Sequence, residues 1–317
     1  MALAVDLGGT KIEIALVDAT GHIVTSQRIP TRREKGPDAV IDSIVDCARD
    51  CLTKANKSAQ CLGIGVAAQV ERDTGVVLFS PNLHWHNVPI RKKLQDALSI
   101  PVIVTNDVRA ATYGEWLYGA GQNIDDLVCL FIGTGVGGGA IVGGKLLEGH
   151  SNSAGELGHL TIVSNGRKCT CPNSGCLEAY AGGWAISKRA QEMVTNDPKE
   201  GRTLLRLAGS TNNISAVTVT EAYNLGDPLA QHIVQETAQF LAAGVVAIVN
   251  ALNPHMLILG GGVIQGLPAY ISMTEQLVRS NALKAASDDL HIVKAALGNK
   301  AAVIGAAAFA RHKLRCH

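Results

Sequence analysis

The glycine-rich segment at residues 131–144, FIGTGVGGGAIVGG, constrains the fold more than any other part of the sequence. Read from Gly133, its spacing matches GxGxxG, the fingerprint of a dinucleotide-binding fold, which requires a helix immediately after the glycines. Here the strand-like stretch Ala140-Ile141-Val142 follows, and a Gly143-Gly144 turn comes after it. The order is therefore strand, loop, strand, which excludes that fold and indicates a loop between two strands of a sheet.

Strand-like and helix-like stretches alternate along the chain, which is typical of an α/β protein. In each half of the sequence, predicted strands come before the first long predicted helix of that half. No fixed-period repeat is visible. The predicted strands are 3–7, 11–17, 22–29, 62–67, 102–105, 127–132, 139–143 and 256–259. The predicted helices begin at Pro37, run over 90–98 and 228–251, and begin again near residue 301. At 317 residues the chain is long enough for two domains or one large α/β unit.

Three glycine loops follow predicted strands. In the first, Asp6 stands at a strand end before a glycine turn and a threonine hydroxyl. Glycines let backbone N–H groups converge on an anion, and such a carboxylate can hold a hydrated magnesium ion. One such loop can be a simple β-turn, but three suggest a nucleotide held between two sheets. The candidate nucleotide-binding residues are Asp6, Gly8, Gly9, Thr10, Lys11, Gly133, Thr134, Gly135, Gly137, Gly261 and Gly262.

The segment CTCPNSGC, residues 169–176, gathers three of the eight cysteines ten residues after His159. Two explanations compete, a disulfide with one spare thiol and a metal site. The N-terminus lacks the regions of a secretory signal, and no segment offers about 18 uninterrupted apolar residues, so we expect a cytoplasmic protein. In a reducing compartment, clustered cysteines are more often metal ligands or catalytic thiols than disulfides.

The expected ligands match the Cys₃His set of a closed structural zinc site, and they are His159, Cys169, Cys171 and Cys176. A bound iron ion and a metal-free thiol cluster are the alternatives. The remaining cysteines have simpler interpretations. Cys47, Cys51, Cys61 and Cys129 fit core or surface thiols, and Cys316 is expected at a frayed end.

The charge balance limits the classes of partner. Lys and Arg total 28 against 27 Asp and Glu, which gives a formal net charge of +1. Neither the basic surface of a nucleic-acid binder nor the skew of a polybasic membrane protein is present. We therefore expect small molecules or copies of the same chain as partners, with no nucleic acid and no membrane.

Six motifs, in chain order, resemble the ROK family of sugar kinases and sugar-responsive repressors: AVDLGGTK, VTND followed by RAATYGE, FIGTGVGGG, AGELGH, CTCPNSGCLEAYAG and LILGGG. The resemblance runs from residue 4 to about residue 310. It implies an α/β fold of the actin/hexokinase-like (ribonuclease H-like) kind, with two lobes around an interlobe cleft. ATP would lie under the glycine loops and a hexose at the base of the cleft. The expected domains are a small lobe of 1–108 plus 301–317 and a large lobe of 109–300. The large lobe carries the zinc loop, residues 169–176.

The resemblance also implies site roles. Asp107 matches the aspartate that takes the proton of the acceptor hydroxyl and contacts the sugar. From the residues alone, Asn106 or Asp107 can equally cap a helix that begins near Val108, and Glu178 can be a solvated helix residue. The implied contacts to sugar hydroxyls are Asn106, Glu156, His159 and Glu178, with Asn82 as a further one. Zinc would act indirectly, because His159 would bind the metal with one ring nitrogen and the sugar with the other.

The substrate prediction is glucose, converted to glucose 6-phosphate with ATP and Mg²⁺, and Zn²⁺ is expected as a structural metal. The segment Gly65-Val66-Ala67-Ala68-Gln69 departs from the family, whose sugar kinases more often have Pro-Gly after the valine. N-acetylmannosamine, fructose and mannose therefore stay alternatives, as does polyphosphate as donor. The family also suggests a homodimer or homotetramer. A repressor is disfavoured because the first glycine loop already begins at Asp6, and a non-catalytic sugar sensor is the stronger rival.

Overall fold

A computed structural model describes residues 1–315, so Cys316 lies outside the described residues. The predicted α/β class is confirmed. The strands are β1 (Ala2–Leu7), β2 (Lys11–Val17), β3 (Ile23–Pro30), β4 (Leu62–Val66), β5 (Gln69–Val70), β6 (Val77–Ser80), β7 (Trp85–Val88), β8 (Val102–Asn106), β9 (Leu127–Ile132), β10 (Val136–Val142), β11 (Lys145–Leu146), β12 (Met256–Gly260) and β13 (His291–Lys294). The helices are α1 (Gly36–Ala55), α2 (Ile90–Leu98), α3 (Asp107–Tyr118), α4 (Glu178–Ala181), α5 (Gly183–Asn196), α6 (Arg202–Ala208), α7 (Ala216–Asn224), α8 (Pro228–Leu252), α9 (Gly262–Gly266), α10 (Ala269–Asn281), α11 (Lys284–Ser287) and α12 (Ala301–Leu314).

The structure contains two five-stranded sheets with the same pattern of strand order. The orders are β3-β2-β1-β4-β8 and β11-β10-β9-β12-β13. In the first sheet, β1 to β3 form the predicted antiparallel meander, and β1, β4 and β8 run parallel. In the second sheet, β9, β12 and β13 run parallel. The strands β5, β6 and β7 form a small antiparallel sheet that the sequence did not predict.

The chain divides into two compact units. The first contains Met1–Asp125, Gly139–Gly155 and the segment from Ala296 onward, and the second contains Asp126–Gly138 and Glu156–Ala295. Compared with the sequence-based boundaries, the first unit also includes α3 and the segment around β11. The inclusion of α3 has a clear physical reason, since α3 packs along α12 within this unit. The functional division into lobes stays a prediction.

The contact between α3 and α12 depends on glycine. A Cβ atom at Gly305 would overlap the carbonyl oxygen of Ala110, and one at Gly114 would meet the carbonyl oxygen of Ala301. Glycine at both positions lets the two helix backbones approach more closely than any larger residue permits. The helix that bears Asp107 is thereby packed closely against the C-terminal helix.

We expect Gly305→Ala to destabilise the protein by about 3 kcal/mol, the upper end of the usual cost of overpacking, because the added methyl group meets backbone that cannot rotate away. The measurement is the urea midpoint of unfolding. Gly266→Ala is the matched control, since the nearest atoms to its Cβ belong to Thr220 at 3.9 Å. Equal midpoints for the two variants would contradict the close-packing argument.

The helix α8 is the longest in the structure. Asp227 caps it by accepting a hydrogen bond from the Ala230 N–H at 2.9 Å, and Pro228 takes its first position. Among the described residues it is the one helix long and apolar enough to span a membrane, and more than half of its apolar stretch is buried. Such burial is typical of a core helix, because apolar residues on most of its faces pack within the second unit.

Candidate active site and metal centre

The first glycine loop is a tight turn between β1 and β2. The Gly8 N–H donates to the carbonyl of Lys11 at 3.1 Å, and the Thr31 hydroxyl donates to the carbonyl of Gly8 at 2.7 Å. A Cβ at Gly9 would lie 3.0 Å from the Cβ of Asn82. The structure therefore brings the predicted sugar contact Asn82 next to the predicted phosphate-binding turn.

Asp6 and Asp107 meet at one edge of the first sheet. Asp6 lies in β1, and Asp107 directly follows β8. In the parallel sheet Asp6 is opposite Gly65 and Val66 is opposite Asn106, so the carboxyl ends of β1, β4 and β8 lie together. A Cβ at Gly65 would lie only 3.1 Å from the Cα of Asp107. This edge is where ligands bind in open parallel α/β sheets.

Electrostatics at this edge favour a cation. Burial raises the pKa of the Asp6 carboxyl to about 7, and the negative charges of Asp107 and Glu13 add to the shift. Lys11 opposes the shift but does not cancel it. A divalent cation would keep Asp6 ionised and offset the repulsion from Asp107, so the residues fit the predicted magnesium site.

Asn106, not Asp107, caps α3. The Asn106 Oδ1 accepts hydrogen bonds from the N–H groups of Val108 at 2.9 Å and Arg109 at 3.1 Å. Asp107 is the first residue of the helix, so its carboxylate is not the capping group. The capping role, which the sequence left open between the two residues, therefore belongs to Asn106. The Asn106 Nδ2 donates a long hydrogen bond to the carbonyl of Ala68 at 3.5 Å, which leaves one of its two amide hydrogens for another acceptor.

The second and third glycine loops lie side by side in the second unit. Gly261, at φ 88°, is so close to the backbone of Ile132 that a Cβ would overlap it. The second loop is also tied to the start of α5, because Gly183 donates to the carbonyl of Gly133 at 2.9 Å and Trp184 to that of Thr134 at 3.0 Å. The second and third glycine loops and the start of α5 therefore lie together, and the Gly183 and Trp184 N–H groups are engaged in holding the second loop.

Glu178 is bound to the second glycine loop. Its Oε2 accepts a hydrogen bond from the Val136 N–H at 2.9 Å, so it is not a freely solvated helix residue. A Cβ at Gly135 would overlap the same carboxylate. A larger side chain at Gly135 would therefore displace Glu178 itself.

Glu156 immediately precedes one turn of 3-10 helix, Leu157–His159, and His159 is its last residue. The predicted helical turn is therefore present, and the His159 N–H donates to the carbonyl of Glu156 at 3.0 Å. Residues three apart in a 3-10 turn lie almost directly above one another. Gly158 inside the turn packs against the backbone of Val136, which fixes the turn to the second glycine loop.

The four predicted zinc ligands converge. The ligand atoms of His159, Cys169, Cys171 and Cys176 all lie within 4.8 Å of one another. Nδ1 of His159 is 3.6 Å from Sγ of Cys169, and the Sγ atoms of Cys171 and Cys176 are also 3.6 Å apart. Tetrahedral zinc with bonds of about 2.3 Å to sulfur and 2.0 Å to nitrogen separates neighbouring ligand atoms by roughly 3.5–3.8 Å. The donor set and its spacing therefore fit zinc.

The thiols also need a cation to ionise together. Burial, and then the neighbouring thiols, raise the pKa of Cys176 to about 12, and burial raises the pKa of Cys169. Burial acts on Cys171 in the same direction, but hydrogen bonds from the Asn173 N–H and the neighbouring thiols outweigh it and lower the pKa of that thiol. A divalent metal removes this penalty, because coordinated thiols lose their protons.

Two residues that the sequence analysis missed contact Glu178. The Thr170 hydroxyl donates to its Oε1 at 3.0 Å, and the Trp184 indole N–H donates to the same oxygen at 3.4 Å. Thr170 lies between two predicted metal ligands, and Trp184 follows a pair of glycines at a helix start. These positions could have indicated that the two residues lie near the site. The sequence analysis missed them because neither residue type belongs to a motif for binding sugar or metal.

Comparisons with known proteins found relatives that match nearly the whole chain. The family model described as the ROK family matches residues 2–313. A glucokinase from Streptomyces coelicolor is 33% identical and covers 98% of both chains. A ROK family glucokinase from Streptomyces griseus, solved in complex with glucose and AMPPNP, has a TM-score of 0.85 and 33% identity over 98% of this chain and 99% of that one. A ROK hexokinase from Thermus thermophilus has a TM-score of 0.84 and 28% identity over 100% and 99%. The predicted actin/hexokinase-like fold is confirmed by these likenesses.

Proposed function

We propose that this chain, which belongs to the ROK family, is a sugar kinase. It transfers the γ-phosphoryl group of ATP to a hexose. The preferred substrate in this proposal is glucose and the product is glucose 6-phosphate. Similarity to glucokinases over nearly the whole chain supports this choice. N-acetylmannosamine, fructose and mannose are the alternatives within the family.

One observation carries the proposal. Asp6 and Asp107 stand together at the carboxyl edge of parallel strands, beside a turn whose backbone N–H groups can meet phosphate. Phosphoryl transfer requires a cation near the phosphates and a separate group for the proton of the acceptor hydroxyl. The two carboxylates supply these two functions.

Asp107 takes the acceptor proton in this proposal. Carboxylates are weak bases at neutral pH, so the proton moves late, as the bond from oxygen to phosphorus forms. Positioning then contributes more than basicity, and the close packing of α3 against α12 and β4 provides it.

The remaining site residues bind and orient. Asn82, Asn106, Glu156, His159 and Glu178 contact hexose hydroxyls in this proposal, because amides, carboxylates and imidazoles satisfy both the proton and the lone pairs of a hydroxyl. The glycine loops supply backbone donors for ATP. Asp6 holds hydrated magnesium, which neutralises phosphate charge when it is bound. His159 and the three cysteines hold zinc, whose closed ligand set leaves it a structural role.

The proposal is tested by a panel of hexoses assayed with ATP and magnesium, with ADP release coupled to a spectroscopic signal. We expect the highest kcat/KM for glucose. A higher kcat/KM for a different hexose would change the proposed substrate but not the proposed kinase activity. Hexose binding by calorimetry without ADP release would instead establish the non-catalytic sensor.

Two further measurements test the assembly and the location. Light scattering of the same preparation tests whether the protein is a homodimer or homotetramer, and fractionation of the source cells tests the predicted cytoplasmic location.

Gly133→Ala should weaken ATP binding by about tenfold while hexose binding is retained. No protein atom lies within 4 Å of a Cβ at Gly133, and its φ lies outside the left-handed region. The methyl group is therefore compatible with the protein and would meet only a phosphate brought to the loop. Calorimetry with ATP and with glucose measures both affinities, and Gly266→Ala is the control. Unchanged ATP affinity would mean that the loop is only a turn.

A further inference from the structure

Glu178 is the point at which three segments of the second unit meet. Its Oε2 accepts from Val136 in the second glycine loop, and its Oε1 accepts from Thr170 in the zinc loop and from Trp184 in α5. The helix α4 that begins at Glu178 has only four residues. Because so short a helix does little to orient a side chain, these donors and the absence of space at Gly135 determine where the carboxylate points.

Thr170 differs from Val136 and Trp184 in how it is held, and the Cys169 thiol, a fourth donor, lies farther from Oε1 at 3.9 Å. Val136 belongs to a strand of the sheet and Trp184 to a 14-residue helix, but Thr170 lies in an exposed loop. Its immediate neighbours are the predicted zinc ligands Cys169 and Cys171. Metal binding would therefore fix the backbone on both sides of Thr170 and, with it, the direction of the hydroxyl.

We propose that Thr170 is a positioning residue that holds the Glu178 carboxylate through one hydrogen bond, and that this carboxylate couples hexose binding to the second glycine loop. The inference rests on the proposed function, in which Glu178 contacts the hexose and the loop contacts ATP. A hydroxyl of the sugar and the Val136 N–H then share one carboxylate. A change in the direction of that carboxylate alters both contacts, which is the requirement for binding free energies of two ligands to depend on each other.

The test compares Thr170→Val, which removes the hydroxyl at nearly constant shape, with Thr170→Ser, which retains it. We expect Thr170→Val to raise the hexose KM by about tenfold, the effect of losing a partly exposed hydrogen bond to a charged group. The serine variant should stay within about threefold of the parent protein, on the same scale. Zinc content should stay at the parent value in both variants, because no ligand has changed.

Thr161→Val is the matched control. Thr161 is an exposed threonine near the same loop, and its hydroxyl accepts a hydrogen bond from Asn173 at 2.8 Å instead of contacting Glu178. A general loosening of the loop would affect Thr161→Val as well, whereas the proposed positioning role would not. Calorimetry of glucose with and without a non-hydrolysable ATP analogue adds a second readout. Prior binding of the analogue should change the glucose Kd of the parent, and that change should shrink in Thr170→Val.

Three results would overturn the inference. They are equal kinetics of Thr170→Val and Thr161→Val, a serine variant as impaired as the valine variant, and a parent glucose Kd that does not respond to the analogue. Failure of the proposed function would differ from all three, because the parent itself would then release no ADP with any hexose.

Discussion

Asp107→Asn is expected to lower kcat by about 10²- to 10⁴-fold, the usual contribution of a general base, while the protein folds normally. This variant should change the carboxylate without changing the helix cap, because Asn106 caps α3 and would be kept. Asparagine has nearly the same shape as aspartate but cannot accept a proton. Glucose and ATP affinities should change far less than kcat, because the lost interaction belongs to the transition state.

The control is Asp96→Asn on α2, where an exposed carboxylate pairs with Lys92. Both variants remove one negative charge from the first unit, but only one of them alters the edge beside Asp6. Thermal unfolding should show similar midpoints. If Asp107→Asn retained activity within threefold of the parent, Asp107 would have no part in proton transfer.

Cys171→Ala should abolish zinc binding and raise the hexose KM by about 10- to 100-fold, the range seen when groups that orient site residues are lost. The parent should contain about one zinc per chain. Without a metal, His159 would keep only the 3.6 Å contact of its Nδ1 with Sγ of Cys169, and the loop that contacts Glu178 through Thr170 would lose the ligands that fix it. The ATP KM should change less, because the backbone of the second glycine loop is also held by α5.

Cys47→Ala is the control for this experiment, because Cys47 is a partly exposed thiol on α1 outside the cluster. Metal analysis by mass spectrometry and steady-state kinetics give the two readouts. A parent without zinc, or a zinc-free variant that binds glucose as tightly as the parent, would refute the proposed role of the metal. The kinase proposal would survive either result.

Much of the fold could be predicted from local pattern. The meander of β1 to β3, the helices α2 and α8, and the parallel strands β4, β8 and β12 lie within two residues of their predicted bounds. Each has a clear apolar period or a turn signal at its ends. The small sheet of β5 to β7 and the helices α5 to α7 were not predicted, because strands of two to four residues and helices of mixed period carry little local signal.

By itself, the sequence determined the class of the fold, the glycine loops near strand ends and the set of residues that could bind a metal. Backbone freedom at glycine and thiol chemistry are properties of the residues themselves. Only the tertiary structure decided that Asn106 is the cap beside Asp107, and that Glu178 reaches Val136, 42 residues earlier in the chain. It also revealed Thr170 and Trp184 as partners of that carboxylate. Such contacts depend on which backbone N–H or hydroxyl group the packing of distant segments brings within hydrogen-bonding distance, and no local pattern records that distance.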